Sequence, residues 1–398
     1  MISFDKYLNT VPRTQFFPEF DPKGEHDGHV FDGIRALTYD GADLGGLHTK
    51  VFAHLGFPED TLSPVPAMVL VHGGGGHPED VWIRKWNERG YAAISMDTTG
   101  FFPHEAAPMY ESAPGNKKLE RRLDPPFAED GYTVAPHNSA MRDCGLPVED
   151  QWMYHAVAQV ILAHNILRAD PRVDSARIGL CGISWGGVIT SVAMGYDLRF
   201  AFAVPIYGSG YLGCGHSDLD NGFRNPGVQI WFAERRFDRV KMPVLWLCWN
   251  DDCAFSLNSN SMSYLDTCGN NPSTRLSMVH NMLHSHHHGY TPEESYWFAD
   301  RITQGRPVPQ VAATFAGGEV RWTCPEDVKS VKLYWIDGKL HYVRRKKYVF
   351  ENCFMDKDWQ ILELDPAAGA APLPEAAVGK YVEFTLADGI VLTSAYYE

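Results

Sequence analysis

The chain has 398 residues, 44% hydrophobic and 21% charged, which suits a soluble globular protein with one large domain and a smaller one attached. Its formal net charge of -14 at pH 7 argues against nucleic acid or an anionic membrane surface as a partner. Residues 1–7 lack a basic region followed by an apolar core, no apolar run approaches a membrane span, and the eight cysteines include no Cys-x-x-Cys pair, so a cytoplasmic protein with reduced thiols is expected.

Residues 1–27 are rich in Pro, Phe and Asp without a period and read as an irregular arm. Strand-like runs follow at 30–39 and 47–55, parted by the turn Asp40-Gly41-Ala42-Asp43. Residues 67–72 form a continuous apolar run suited to a central parallel strand, and it ends in His72-Gly73-Gly74-Gly75-Gly76. Val81, Trp82, Lys85, Trp86 and Arg89 have helical spacing, stopped by Gly90, and residues 91–96 form another strand. Strand alternating with helix predicts a doubly wound, mostly parallel α/β sheet.

Between residues 98 and 148 the period is lost, and so long an irregular stretch reads as a lid insertion. A helix is predicted over 149–168, a buried strand over 178–183 and a helix over 186–194. At their junction stands Gly182-Ile183-Ser184-Trp185-Gly186, the Gly-x-Ser-x-Gly pattern of a nucleophile elbow. A strand turning straight into a helix strains the serine and exposes its hydroxyl, and side chains at 182 and 186 would collide where the two cross. Strands at 200–206, 244–249 and 275–280 and a helix at 292–304 complete a domain spanning 28–305, with a second irregular stretch at 208–238. Gly305-Arg306-Pro307-Val308-Pro309 reads as a linker, and short β-rich runs over 310–398 predict a small antiparallel β-sandwich domain. Its basic run, Arg344-Arg345-Lys346-Lys347, fits a solvated strand edge better than an anion site.

A serine hydroxyl needs a base to remove its proton, and the base needs a third group to hold its tautomer. Two strand-end loops offer these groups in the order serine, acid, histidine: Asn250-Asp251-Asp252-Cys253 and Asn281-Met282-Leu283-His284-Ser285-His286. His284 is the candidate base. Asp252 is preferred to Asp251 because such an acid lies a few residues past its strand; Asp251 stays open, and Asp218 or Asp220 come next. His284 with His286, His287 and His288 could be read as a metal tract, but no Cys or carboxylate constellation accompanies it, so neither metal nor cofactor is expected. The oxyanion donors are expected to be the backbone N–H of Trp185 and that of Gly74 or Gly75.

On these residues the chain resembles α/β hydrolases of the acetyl xylan esterase type, a group close to the dienelactone hydrolases. The likeness lies in segments 66–76, 82–96, 150–163 and 178–190 and in the loops of Asp252 and His284. It implies an α/β-hydrolase fold and ester hydrolysis, often of acetyl groups on carbohydrate, with Ser184, Asp252 and His284 as the triad. Two features depart from it. A dienelactone hydrolase would carry cysteine in place of Ser184, and the acid loop reads Trp249-Asn250-Asp251-Asp252 where such esterases often have Gly-Thr-Asn-Asp. The resulting expectation is a cytoplasmic serine esterase acting on small esters such as acetylated oligosaccharides, with the C-terminal domain a place where copies could associate. Trp86 and Trp152 sit at core spacing and are not expected to stack on sugar. A peptidase of the prolyl oligopeptidase type shares the triad order, but the segment before the sheet is too short for a propeller. A non-catalytic carbohydrate-binding protein, with the C-terminal sandwich as its working part, would not need the intact triad order.

Overall fold

The computed structural model describes residues 2–26, 29–30, 33–59, 62–100, 141–214, 219, 222–252, 254–337, 343–345, 348–350 and 359–398. Most of the expected lid (101–140) lies outside the described residues, as do Asp218, Asp220, Cys253, Lys346 and Lys347.

The strands that build the sheets are β1 (Thr14–Phe16), β2 (Arg35–Asp40), β3 (Lys50–Gly56), β4 (Val65–Val71), β5 (Ala92–Met96), β6 (Val173–Ile183), β7 (Phe202–Ile206), β8 (Leu245–Trp249) and β9 (Arg275–Val279). They continue with β10 (Ala312–Ala316), β11 (Glu319–Thr323), β12 (Ser330–Ile336), β13 (Gln360–Leu364), β14 (Ala370–Pro372), β15 (Gly379–Thr385) and β16 (Val391–Thr393). The longer helices are α1 (Asp80–Glu88), α2 (Trp152–Ala169), α3 (Trp185–Ala193), α4 (Leu257–Cys268) and α5 (Glu293–Thr303).

Among the described residues one sheet holds thirteen strands in the order β1-β2-β3-β5-β4-β6-β7-β8-β9-β16-β15-β12-β13. The run β5-β4-β6-β7-β8-β9 is parallel, and the strands on either side of it pair antiparallel. Its central strands are apolar toward their C-terminal ends: Val69, Leu70 and Val71 of β4 and Leu180 and Cys181 of β6 have no solvent exposure. This is the signature of strands covered on both faces. From β4 the chain moves one way to β5, then returns past β4 to place β6 on its other side. That reversal is a topological switch point, the place at which open α/β sheets bind their ligands. It is the α/β-hydrolase architecture. Among the described residues no helix is long and apolar enough to cross a membrane.

The N-terminal segment is less irregular than its composition suggests, since Thr14–Phe16 pairs with Leu37–Tyr39 as the edge of the sheet. The helix α4 has no counterpart in the sequence reading. Its buried face is rich in Ser and Asn (Ser259, Asn260, Ser261, Ser263) and gives a weak apolar period, and it is started by Ser256, whose Oγ accepts the N–H of Ser259. At the C-terminus β10-β11-β14 form a separate antiparallel sheet, facing a core of Val320, Val331, Leu333, Val382 and Phe384. A four-stranded antiparallel run of this region, β16-β15-β12-β13, is fused edge to edge with the hydrolase sheet through Leu276 and Thr393.

The crossing of β6 and α3 sets the tightest packing demand. A Cβ at Gly182 would lie 2.1 Å from the carbonyl oxygen of Gly186, and one at Gly186 would lie 2.0 Å from that of Val71. Backbone cannot yield as a side-chain tip can. Gly182→Ala is therefore expected to cost about 3 kcal/mol, as severe overpacking does. Its urea midpoint should fall well below that of the parent; an unchanged midpoint would show that the crossing has slack.

Candidate active site

Ser184 occupies the turn between β6 and α3 with φ 57° and ψ -117°, a region L-residues avoid at a cost of about 1–3 kcal/mol. Its N–H donates to the Ile206 carbonyl at 2.9 Å, which ties the elbow to the end of β7. The hydroxyl faces His284, with Oγ 2.9 Å from Nε2. On the other edge of the ring, Nδ1 lies 2.7 Å from Asp252 Oδ2. The proton on Nδ1 is thus donated to a carboxylate, leaving Nε2 as an acceptor for the serine hydroxyl. The Asp252 side chain has no solvent exposure while that of His284 keeps 23%, so the carboxylate is dry and the imidazole is reachable. Asp252 Oδ1 accepts the N–H groups of Ala254 (2.7 Å) and Phe255 (3.2 Å), so both oxygens of the buried carboxylate are satisfied. Of the two candidate acids, Asp252 meets the imidazole. Asp251 Oδ1 instead accepts the Trp359 indole N–H at 2.7 Å.

Two aromatic rings fix the plane of the imidazole. Tyr207 stacks on it with centroids 4.4 Å apart and 26° between planes, and Phe255 is nearly parallel to it at 5.9 Å. Tyr207 follows directly on β7, has a positive φ of 62°, and donates its hydroxyl to the Leu283 carbonyl next to His284. Burial first, then the nearby Asp252, push the Tyr207 phenol well above its ordinary range, so it stays a donor. Tyr207 was absent from the sequence reading. Its place just past the end of a central strand, beside the switch point, is the one signal that could have marked it.

The glycine run after β4 lies against the elbow. A Cβ at Gly73 would sit 3.1 Å from the Ser184 Cβ, so Gly73 is a point of close backbone approach, while Gly74 and Gly75 are exposed and Gly75 has a φ of 73°. Imidazoles hold the Gly73 residue at both of its backbone groups. Its N–H donates to His286 Nε2 at 2.8 Å, and its carbonyl accepts from His72 Nδ1 at 2.7 Å. His72 Nε2 in turn accepts the N–H of Thr98 at 3.0 Å, which links the start of the insertion to the glycine loop. The remaining histidines of the tract point elsewhere: His288 Nδ1 meets Ser285 Oγ at 2.7 Å, and His287 Nδ1 lies 3.3 Å from the Tyr290 hydroxyl. Among the described residues no three His, Cys, Asp or Glu side chains are grouped as metal ligands would be. Trp86 and Trp152 are buried in the core, and the Trp152 indole donates to the Thr98 carbonyl.

The acetyl xylan esterase family model matches residues 19–212, a span that holds the glycine loop and the elbow but ends before Asp252 and His284. A search of curated proteins gives no match. Among solved structures, the acetyl xylan esterase from Paenibacillus sp. R4 is similar with a TM-score of 0.51 and 16% identity, covering 76% of this chain and 92% of its own. The acetyl xylan esterase 1 from Thermoanaerobacterium sp. aligns with a TM-score of 0.43 and 15% identity over 70% of this chain and 85% of its own. The acylaminoacyl peptidase of Pyrococcus horikoshii aligns with a TM-score of 0.43 and 19% identity over 62% of this chain, which spans only 36% of that protein's length. By fold the chain is an α/β-hydrolase, and over residues 19–212 it matches the acetyl xylan esterases, a family of carboxylic ester hydrolases.

Proposed function

We propose that the chain is a serine esterase that removes acetyl groups from carbohydrate, with Ser184 as nucleophile, His284 as base and Asp252 as the acid that orients it. The observation that carries this reading is the unbroken line of hydrogen bonds from Ser184 Oγ through His284 to Asp252. The Ser184 oxygen attacks the ester carbonyl carbon as His284 Nε2 takes its proton, and the imidazolium so formed is stabilised by the buried Asp252. The oxyanion is held by the N–H of Trp185 and that of Gly74 or Gly75. Collapse of the tetrahedral intermediate expels the alcohol, which takes the proton from His284. Water then attacks the acyl-enzyme with His284 again as base, and Ser184 regains its proton as the acid leaves. The family match supports acetyl as the acyl group. Six cysteines among the described residues are unpaired, which suits the reducing cytoplasm, and there the substrate would be a small acetylated oligosaccharide.

Ser184→Ala should abolish turnover of p-nitrophenyl acetate and of acetylated xylo-oligosaccharides while leaving the melting temperature within a few degrees. A fluorophosphonate should label the parent at Ser184 and leave this variant unlabelled. Retained turnover in the variant would sink the mechanism, and a peptide ester or amide cleaved faster than any acetylated sugar would sink the substrate class.

Asp252→Asn keeps the shape of the acid but allows the wrong imidazole tautomer, and kcat should fall by up to about ten-thousand-fold in a folded protein. A loss below tenfold would remove Asp252 from the mechanism.

His286 supplies a third test. Its Nε2 accepts the Gly73 N–H only while the ring is neutral, and burial, the largest influence, lowers its pKa to about 4, aided by His72, His77 and His284 and opposed by Glu79. A histidine whose pKa falls on folding binds more protons when unfolded. Its stabilising contribution is whole above about pH 6.5 and is lost as the pH drops through about 4. His54, lowered by burial to about 3, acts in the same direction. The urea midpoint of the parent should therefore decline from pH 6.5 to 4, and less steeply in His286→Leu. The same variant loses the acceptor that holds Gly73, and its kcat should fall by about 10- to 100-fold through a displaced oxyanion donor. Unchanged kcat in His286→Leu would show that the glycine loop holds its place without the ring.

A further inference from the structure

We propose that the C-terminal strands are a positioning element of the active site, with Trp359 as the residue that holds the acid loop. This rests on the esterase reading above.

The loop that carries Asp252 leaves β8 through Asn250 and Asp251, and both are held by side chains of the C-terminal region. The Trp359 indole N–H donates to Asp251 Oδ1 at 2.7 Å, and the Asn250 Nδ2 donates to the Tyr381 hydroxyl at 3.3 Å. Neither anchor is loose. Trp359 is buried and packs edge-on against Tyr381 with centroids 5.4 Å apart, and Tyr381 is fully buried and stacks on Tyr334 at 5.0 Å and 8°. Tyr334 and Tyr381 are direct partners in the β12–β15 ladder, so the aromatic wall is fixed by strand register. The strands have two faces. Leu333 and Val382 point into the C-terminal core, while Tyr334 and Tyr381 join the core of the hydrolase domain. The wall is seated on the hydrolase by continuous sheet: Ser277 Oγ donates to the Val391 carbonyl at 2.7 Å, and the Tyr396 N–H donates to Ser261 Oγ at 2.8 Å.

The consequence for Asp252 follows from how its loop is held. On the far side, its carboxylate is fixed by the N–H groups of Ala254 and Phe255. On the near side the chain is fixed through Asn250 and Asp251, by the C-terminal aromatics. Releasing the near side lets the carboxylate drift relative to His284 Nδ1, and a triad loses rate steeply with such drift. Trp359 acts through Asp251 and the loop, so it is a positioning residue. Its loss should lower kcat and leave KM nearly as it was, because its ring is buried in the aromatic wall and its N–H reaches Asp251.

Trp359→Phe removes the donor and keeps an aromatic ring; Asp251→Ala removes the acceptor; Asp251→Asn keeps an acceptor oxygen. The first two should lower kcat and the rate of fluorophosphonate labelling at Ser184 by about 10- to 100-fold, with KM within about threefold. Asp251→Asn should stay within about threefold of the parent. The double variant Trp359→Phe/Asp251→Ala should be no slower than either single one, since both break the same bond. Parent-like labelling and kcat in Trp359→Phe and Asp251→Ala would overturn the proposal, as would losses that multiply in the double variant. If Trp359→Phe fails to fold, Asp251→Ala, a change in a partly exposed loop, decides the matter by the same readouts. A parent that fluorophosphonate does not label would bring down the esterase reading itself, and this proposal with it. A labelled parent with equally labelled variants would bring down this proposal alone.

Discussion

The whole site depends on a strand and a helix crossing at contact distance. At Gly182 and Gly186 the approach leaves no room for a Cβ, with backbone oxygens about 2 Å from where each would stand. The chain can make so abrupt a turn only by placing Ser184 at a positive φ. That strain persists because everything around it is fixed: apolar strands without solvent exposure on either side and a hydrogen bond from the Ser184 N–H to Ile206. The reward is a hydroxyl held at the switch point of the sheet, with the glycine loop after β4 on one side and the loops after β8 and β9 on the other.

Around that fixed point, histidines serve three different ends, and the hydrogen bonds separate them. His284 is partly exposed and lies between a hydroxyl and a carboxylate, an arrangement suited to taking and returning a proton. His72 has no exposure and both ring nitrogens are bonded to backbone, Nδ1 to the Gly73 carbonyl and Nε2 to the Thr98 N–H. It works as a rigid backbone bracket, a donor on one side and an acceptor on the other. His286 closes the set from the opposite direction by accepting the Gly73 N–H. A single glycine is thus held at its N–H and its carbonyl by two rings, which substitutes for the regular ladder that a loop lacks.

Much of this was legible in the sequence because it is local. The elbow, the glycine run and the strand-end loops are each written within a few consecutive residues, and a parallel α/β sheet follows from the alternation of apolar runs with helical spacing. What could not be read depends on contacts between distant segments. The choice between Asp251 and Asp252 turns on which carboxylate faces His284 and which faces Trp359, more than a hundred residues away. The place of His286 depends on Gly73, far off in the chain, and nothing in a row of three histidines tells which one turns inward. The helix Leu257–Cys268 was hidden by its own polarity: Ser259, Asn260, Ser261 and Ser263 are buried on it, so the apolar stripe that marks a helix is faint. The C-terminal region was legible as β-rich and antiparallel. That one of its sheets extends the hydrolase sheet could not be, since pairing across β9 and β16 is set by an edge that only the folded domain presents.

That fused edge changes what the C-terminal region can be. A separate module joined by a linker would be expected to move, and its loss would leave the neighbouring domain intact. Here the strand beside β9 is Val391–Thr393, near the chain end, so the parallel sheet lacks an exposed edge at the strand whose loop carries His284. The family match ends at residue 212, and beyond it lie Asp252, His284 and the aromatic wall behind the acid loop. The first half of the chain thus presents the serine and the glycine loop, and the second half brings the acid, the histidine and the strands that brace them. Covering an edge and bracing a loop are served by the same strands, so the two effects cannot be separated by cutting the chain. They can be separated at Trp359, whose indole N–H reaches the acid loop while its ring stays in the wall.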